Sequence, residues 1–201
     1  MSIASFSSSN DPKSWDLVNF QARTSLRVRK VQAVNMPPII FLDVDDVICI
    51  NAPYGGYDVV APDRPADLWE KLFHPAAVDT LLTILSEHRP HVVLTTSWLR
   101  MMDREGFEVL FRRTGLDELS RALHPKAWEA PQARGETRLE AIEKWLAANR
   151  KDEPFVILDD PLSGTGLIDS SLFNNGRVVL CELSVGLTAD HLAIVRRALG
   201  R

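Results

Sequence analysis

Hydrophobic positions along the chain fall into short solid runs separated by longer stretches with a helical repeat. Ile39-Ile40-Phe41-Leu42 is apolar at every position and bounded by Pro37-Pro38. It is too short for a buried helix and reads as a buried strand. His91–Leu94, Phe155–Leu158 and Arg177–Leu183 read as further strands, and a short one is expected near Ala122–His124, which makes five. Between them the apolar residues recur every three or four positions. Ala66–Glu87 predicts one or two helices, with Pro75 opening the second and Val78, Leu81, Leu82 and Leu85 on one face. Asp103–Arg113 presents Phe107, Leu110 and Phe111, and Thr137–Asn149 presents Leu139, Ile142, Trp145 and Leu146. Thr188 is expected to cap a last helix running through Leu199. Residues 49–65, rich in Pro and Gly, predict a long irregular loop or flap. Strands alternating with helices imply an α/β fold with a mostly parallel sheet covered on both faces.

The first 35 residues do not share this pattern. Residues 1–10 hold five serines and no charge, and Arg23, Arg27, Arg29 and Lys30 follow. Five Lys or Arg against Asp11 and Asp16 give residues 1–35 a net charge of +3, so the remainder carries −7. Three readings stand: a flexible or loosely docked extension, an organelle transit segment, and an upstream stretch before a true start at Met36. Asp11 and Asp16 weigh against the second. The expectation is an extension over residues 1–35 and one domain over residues 36–201.

Composition narrows the setting. With 45% hydrophobic and 25% charged residues the chain can bury a sizeable core. A net charge of −4 argues against bulk binding to nucleic acid but leaves room for a local basic groove. Cys49 and Cys181 are far apart and in no Cys-x-x-Cys pair, so neither a zinc site nor a disulfide framework is expected. That suits a reducing, cytoplasmic setting. No apolar run approaches membrane-spanning length, and the start lacks the apolar core of a secretory signal.

Candidate chemistry appears at the ends of the strands. The first run leads into Asp43-Val44-Asp45-Asp46, three carboxylates in four positions. Crowded carboxylates repel one another, and a divalent cation relieves the repulsion. Thr95-Thr96-Ser97 follows the second strand, and Asp159-Asp160 ends the fourth. Each motif alone has an ordinary reading, as a solvated turn, a helix cap or an Asp-Asp-Pro turn. In a parallel sheet all three reach one edge, where open α/β folds bind ligands. Ser163-Gly164-Thr165-Gly166 could cradle a phosphate but reads first as a plain loop. His88 and His91 read as surface residues, and Trp98 as a core residue with stacking on a base as the rival reading.

This ordered set resembles the haloacid dehalogenase (HAD) superfamily of phosphohydrolases over about residues 37–200. Val93-Leu94-Thr95-Thr96-Ser97-Trp98, the Arg-Gly-Glu before a helix ending Lys144-Trp145-Leu146, Ile157-Leu158-Asp159-Asp160 and Gly186-Leu187-Thr188 further resemble the phosphatase domain of Swiss Army knife RNA-repair proteins. The resemblance implies a three-layer Rossmannoid with a five-stranded sheet and a minimal cap. It implies that Asp43 attacks phosphorus and forms an aspartyl-phosphate, and that Asp45 is the general acid and base. Metal ligands would be Asp43, the Asp45 carbonyl, Asp160 and Asp159, with Mg²⁺ as the cofactor. Thr95 and the Thr96 backbone N–H would hold phosphoryl oxygens. The family's phosphate-clamping Lys has no clear counterpart. Arg138 matches by its spacing to Ile142, with Arg134 and Lys126 as rivals. Asp46 stands where the family has glycine, and Ser163, Gly164 and Thr165 stand where many members carry a further Asp. A response-regulator receiver is the rival fold, but there the acidic pair opens the set, whereas here it closes it.

The expected function is therefore magnesium-dependent hydrolysis of phosphomonoesters. Short insertions leave an open site, which suits a large substrate such as an RNA or DNA end, with Arg100, Arg104, Arg134 and Arg138 for its backbone and Trp98 or Tyr57 for its bases. A small-molecule phosphatase and a catalytically idle binding module are the alternatives.

Overall fold

Four short strands, every one parallel to its neighbours, form the centre of the fold. The computed structural model describes Met1 and residues 36–200. The extension expected over residues 1–35 lies, apart from Met1, outside the described residues. Strand β1 (Ile39–Leu42) is flanked by β2 (His91–Leu94) on one side and β3 (Phe155–Asp159) on the other, and β4 (Val178–Leu180) closes the order β2-β1-β3-β4. Eight helices connect and cover them among the described residues: α1 (Gly56–Val60), α2 (Leu68–Lys71), α3 (Pro75–His88), α4 (Arg104–Arg113), α5 (Asp117–Ala122), α6 (Arg138–Asn149), α7 (Ser171–Asn174) and α8 (Leu192–Leu199).

Solid apolar strands follow from burial on both faces. Alternate residues of β1 point to opposite sides. Ile40 and Leu42 join Val92, Leu94, Val156 and Leu158 under helices α3, α4, α5 and α8. Ile39 and Phe41 join Val93, Phe155 and Ile157 under α6, which contributes Ile142 and Trp145. The result is three layers. The Phe41 ring meets the Trp145 ring edge-on, with centroids 5.1 Å apart, and the Phe155 ring at 6.1 Å.

The sheet has four strands where five were expected. Residues near Ala122–His124 are occupied by the end of α5 and by single bridges, Val92 to Leu123 and Leu94 to Glu129. The chain touches the free edge of β2 at two points but makes no ladder between them. Pro125 lies in that stretch and has no N–H to donate. The loop over residues 49–65 is also less irregular than expected, because it holds α1. Gly55 caps that helix, its N–H donating to Asp58 Oδ2 at 2.8 Å. The last helix is split: Thr188 precedes a 3-10 turn (Ala189–His191), and α8 starts after it. His88, expected at the surface, has a side chain only 3% exposed.

Phe41 is fully buried and touches both neighbouring rings, so it tests this layer directly. Phe41→Ala should destabilise the fold by about 3–5 kcal/mol. Urea unfolding followed by circular dichroism measures it, and a loss below about 1 kcal/mol would contradict the packing described.

Candidate active site

The strand order carries the chain from β1 to β2 on one side and later to β3 on the other. A crevice opens at such a reversal, beyond the carboxyl ends of the strands. Leu42 pairs with Leu94 and with Leu158, so the next residues, Thr95, Asp43 and Asp159, fall in one row across β2, β1 and β3. Backbone bonds hold that row in place. The Asp43 N–H donates to the Leu158 carbonyl and the Thr95 N–H to the Leu42 carbonyl, each at 2.9 Å.

Asp43, Asp159 and Asp160 converge there. Each offers a carboxylate oxygen within 4.8 Å of the others, and all three are buried. Each also has one oxygen already engaged. Asp43 Oδ1 accepts from the Val44 N–H at 2.8 Å, and Asp159 Oδ1 from the Asp160 N–H at 2.9 Å. Asp160 Oδ1 accepts from Leu162 and Ser163, which turns the chain after β3. The three Oδ2 atoms are buried with no hydrogen bond.

Arg138 stands against this cluster. It opens α6, whose start is fixed by a capping box: Thr137 Oγ1 accepts from the Glu140 N–H, and Glu140 Oε2 accepts from the Thr137 N–H. The Arg138 N–H itself donates to Thr165 Oγ1 at 2.9 Å. The Ser163–Gly166 segment therefore seats the arginine. Gly164 is required there, since a Cβ would lie 2.6 Å from the Asp160 carbonyl oxygen. The Arg138 side chain is 3% exposed, with Nε 3.0 Å from Asp159 Oδ2 and Nη2 3.6 Å from Asp43 Oδ2. Both contacts are ion pairs without hydrogen-bond alignment. Of the three basic candidates, only Arg138 reaches the acidic cluster; Arg134 and Lys126 are exposed.

When all are ionised, three carboxylates against one guanidinium leave two negative charges, which one divalent cation would balance. Burial resists that charge. It pushes the Asp43 carboxyl up to about 6, against the opposing pull of Arg138, and pushes Asp159 well above the usual carboxylate range, with the Asp43 charge adding to the effect. Unbonded Oδ2 atoms and an unbalanced pair of charges fit a divalent metal ion held by Asp43, Asp159 and Asp160.

Asp45 lies apart from this cluster. Its Oδ2 accepts from the indole Nε1–H of Trp98 at 2.8 Å and from the Ser97 hydroxyl at 3.3 Å, and Asn51 also bonds the carboxyl. Burial raises its pKa, and these bonds partly offset the rise. A cleft of about 440 Å³ opens beside it, lined by Tyr57 and Arg100 among others. Trp98 is only 1% exposed, so it cannot offer a stacking face, whereas Tyr57 is 84% exposed. Thr95 Oγ1 is buried without a partner. The Thr96 hydroxyl caps the 3-10 turn Ser97–Arg100 by accepting from the Trp98 N–H. Asp46 turns away from the cluster: its Oδ1 accepts from the Ser184 N–H at 2.7 Å. The bonds from Trp98 to Asp45 and from Ser184 to Asp46 were not foreseen from the sequence. The only pointer to the first is that Trp98 directly follows the hydroxyl cluster.

A parallel α/β sheet with an acidic cluster and a buried cation at its carboxyl edge is the arrangement of the HAD class. The family model described as "HAD domain in Swiss Army Knife RNA repair proteins" matches residues 39–192, and the chain belongs to that family. No curated protein matches the chain, and no solved structure does. The family supports HAD-type phosphohydrolase chemistry in general.

Because burial pushes the Asp43 carboxyl up to about 6 from an ordinary 3.8, folding is expected to take up a proton between those values. Its contribution to stability therefore falls as pH rises through that window. In EDTA, Asp43→Asn should melt higher than the parent chain at about pH 7.5, and the gap should shrink towards about pH 5. A gap independent of pH would show that Asp43 carries no buried-charge cost.

Proposed function

We propose that the protein is a magnesium-dependent phosphohydrolase that cleaves phosphomonoesters through an aspartyl-phosphate on Asp43. The observation that carries this reading is the buried group of Asp43, Asp159 and Asp160 with Arg138 paired against it, two charges short of balance. Mg²⁺ suits an all-oxygen donor set, and when bound it would offset the repulsion between the Asp43 carboxylate and an anionic phosphate. Asp43, Asp159 and Asp160 would hold it, with the Asp45 carbonyl as the further ligand the family suggests.

The chain's own residues divide the work. Asp43 is the nucleophile, at the end of a central strand whose backbone bonds fix it. Arg138 faces both Asp43 and Asp159 and supplies positive charge for the phosphoryl oxygens, in place of the family's lysine. The unpartnered hydroxyl of Thr95 and the Thr96 N–H supply donors on the other side of Asp43. Asp45, with its pKa raised, gives a proton to the leaving oxygen and later takes one from the attacking water.

The substrate class follows from what surrounds the site. The segment between β1 and α3 holds only two short helices, of five and four residues. Such a minimal cap leaves substrate binding to outlying side chains. Tyr57 offers an exposed ring and Arg100 an exposed cation at the cleft beside Asp45. Together with the RNA-repair proteins for which the family is described, this favours a phosphorylated nucleic-acid end.

With Mg²⁺, the protein should release phosphate from an aryl phosphate. Asp43→Asn should abolish turnover, and Asp45→Asn should lower it by about 10²–10⁴. Wild-type activity in Asp43→Asn rules out the mechanism. Beryllium fluoride should raise the melting temperature only with Mg²⁺ present, and Asp160→Ala should remove the shift. No linkage of this kind would mark an idle binding module.

Catalytic efficiency should be higher on a 5′- or 3′-phosphorylated oligonucleotide than on the matching mononucleotide. The advantage should shrink as salt rises, since backbone contacts release counterions. Equal efficiencies with equal salt response would point instead to a small-molecule phosphatase.

A further inference from the structure

We infer that Trp98 is a positioning residue that orients the Asp45 carboxyl for proton exchange, and that the flap helix α1 holds Trp98 in place through Gly56. The inference rests on the phosphohydrolase reading above and goes beyond it by naming what sets the general acid.

Trp98 sits on the 3-10 turn Ser97–Arg100, two positions after the Thr96 side chain that caps its N–H. Its ring is buried, yet the one polar atom of that ring is spent on Asp45 rather than on a backbone carbonyl. An indole N–H can only donate. It donates to Oδ2 at 2.8 Å, and the Ser97 hydroxyl joins it on the same oxygen at 3.3 Å. Two donors on one oxygen, with Asn51 as a further partner of the carboxyl, fix its rotation and so which oxygen meets a leaving group. A free aspartate would rotate and present either oxygen.

The indole also meets the flap. Gly56, the first residue of α1, is buried, and a Cβ there would lie 2.6 Å from both Cε2 and Nε1 of Trp98. The backbone of α1 therefore presses on the same ring edge that carries the N–H. Glycine is needed for that approach, not for its φ. A methyl group at this position forces the indole and α1 apart, and a shift of the indole takes the donor off Asp45.

The step affected is the first displacement. An Asp43 oxygen forms its bond to phosphorus while the ester P–O bond breaks. The leaving oxygen takes the bonding electron pair and receives the proton from Asp45. An ester with a strongly acidic alcohol, such as 2,4-dinitrophenyl phosphate, departs without that proton. An alkyl phosphate does not. Loss of carboxyl orientation must therefore depend on the leaving group, whereas general loosening of the site lowers all substrates alike.

The test compares kcat/KM for an alkyl phosphate, phenyl phosphate and 2,4-dinitrophenyl phosphate in the full chain with Mg²⁺. Trp98→Phe keeps a buried ring and deletes the N–H. It should lose about 10²-fold on the alkyl ester and change little on the dinitrophenyl ester, as Asp45→Asn should do more severely. Gly56→Ala should show the same selective loss, and it carries the test alone if Trp98→Phe does not fold by circular dichroism. Equal loss on all three esters, or no loss on any, overturns the inference. If the wild type is active, Asp43→Asn is inert and the variants' profiles parallel the wild type's, only the role of Trp98 falls. A wild type that hydrolyses none of the esters removes the phosphohydrolase reading and this inference with it.

Discussion

Everything at the carboxyl edge of this sheet depends on a charge imbalance kept out of water. Three carboxylates from β1 and the end of β3 are packed within reach of each other, and one guanidinium faces two of them. Removing charges from water costs several kcal/mol each, and a single Arg does not restore the balance. The surrounding structure bears that cost by being rigid. Backbone bonds tie Asp43 and Thr95 into the sheet, a capping box fixes the start of α6, and Thr165 receives the Arg138 N–H. A looser frame would let the carboxylates swing apart into solvent. The geometry that makes the site costly in isolation is one that a divalent cation would relieve.

Much of this was legible in the sequence, for identifiable reasons. Solid apolar runs gave three strands closely, because strands buried on both faces leave no alternation to misread. The positions of Asp43, Thr95, Asp159 and Asp160 followed from strand order alone, since parallel strands bring their ends to one side. The expected third strand near Ala122–His124 failed. Leu123 and Glu129 do bridge to β2, but the chain leaves the edge between them. Three residues, Ala122-Leu123-His124, are too few to tell a ladder from isolated contacts. The choice among Arg138, Arg134 and Lys126 also lay beyond the sequence. It depended on how a loop some 27 residues further on, at Thr165, meets the first turn of α6.

The turn after β2 unites two jobs that looked separate in the sequence. Thr95 faces the row of acids, while Trp98 fills the core beneath the flap and still reaches Asp45. Of the two readings posed for that tryptophan, core residue and base-stacking face, burial leaves the first, and its indole N–H still bonds Asp45. Burial shields the N–H from water, so its bond to Asp45 meets little competition. A packing change in the flap therefore reaches the Asp45 carboxyl through a single ring.

Asp46 shows a different economy. Its backbone adopts φ +51°, a region that glycine enters freely and Asp only tolerates. In return its side chain captures the Ser184 N–H, next to a second tie in which the Leu187 N–H donates to the Val47 carbonyl. Gly186 lets the strands of this clasp approach, because a Cβ there would strike the Val47 oxygen at 2.7 Å. The loop that follows Asp43 is thus buckled to a segment 138 residues after Asp46. Opening of the chain at residues 184–187 breaks both ties and frees the loop behind Asp43. Local opening of that segment and loosening of the turn after Asp43 are thereby coupled, so the segment just before the last helix steadies the first motif.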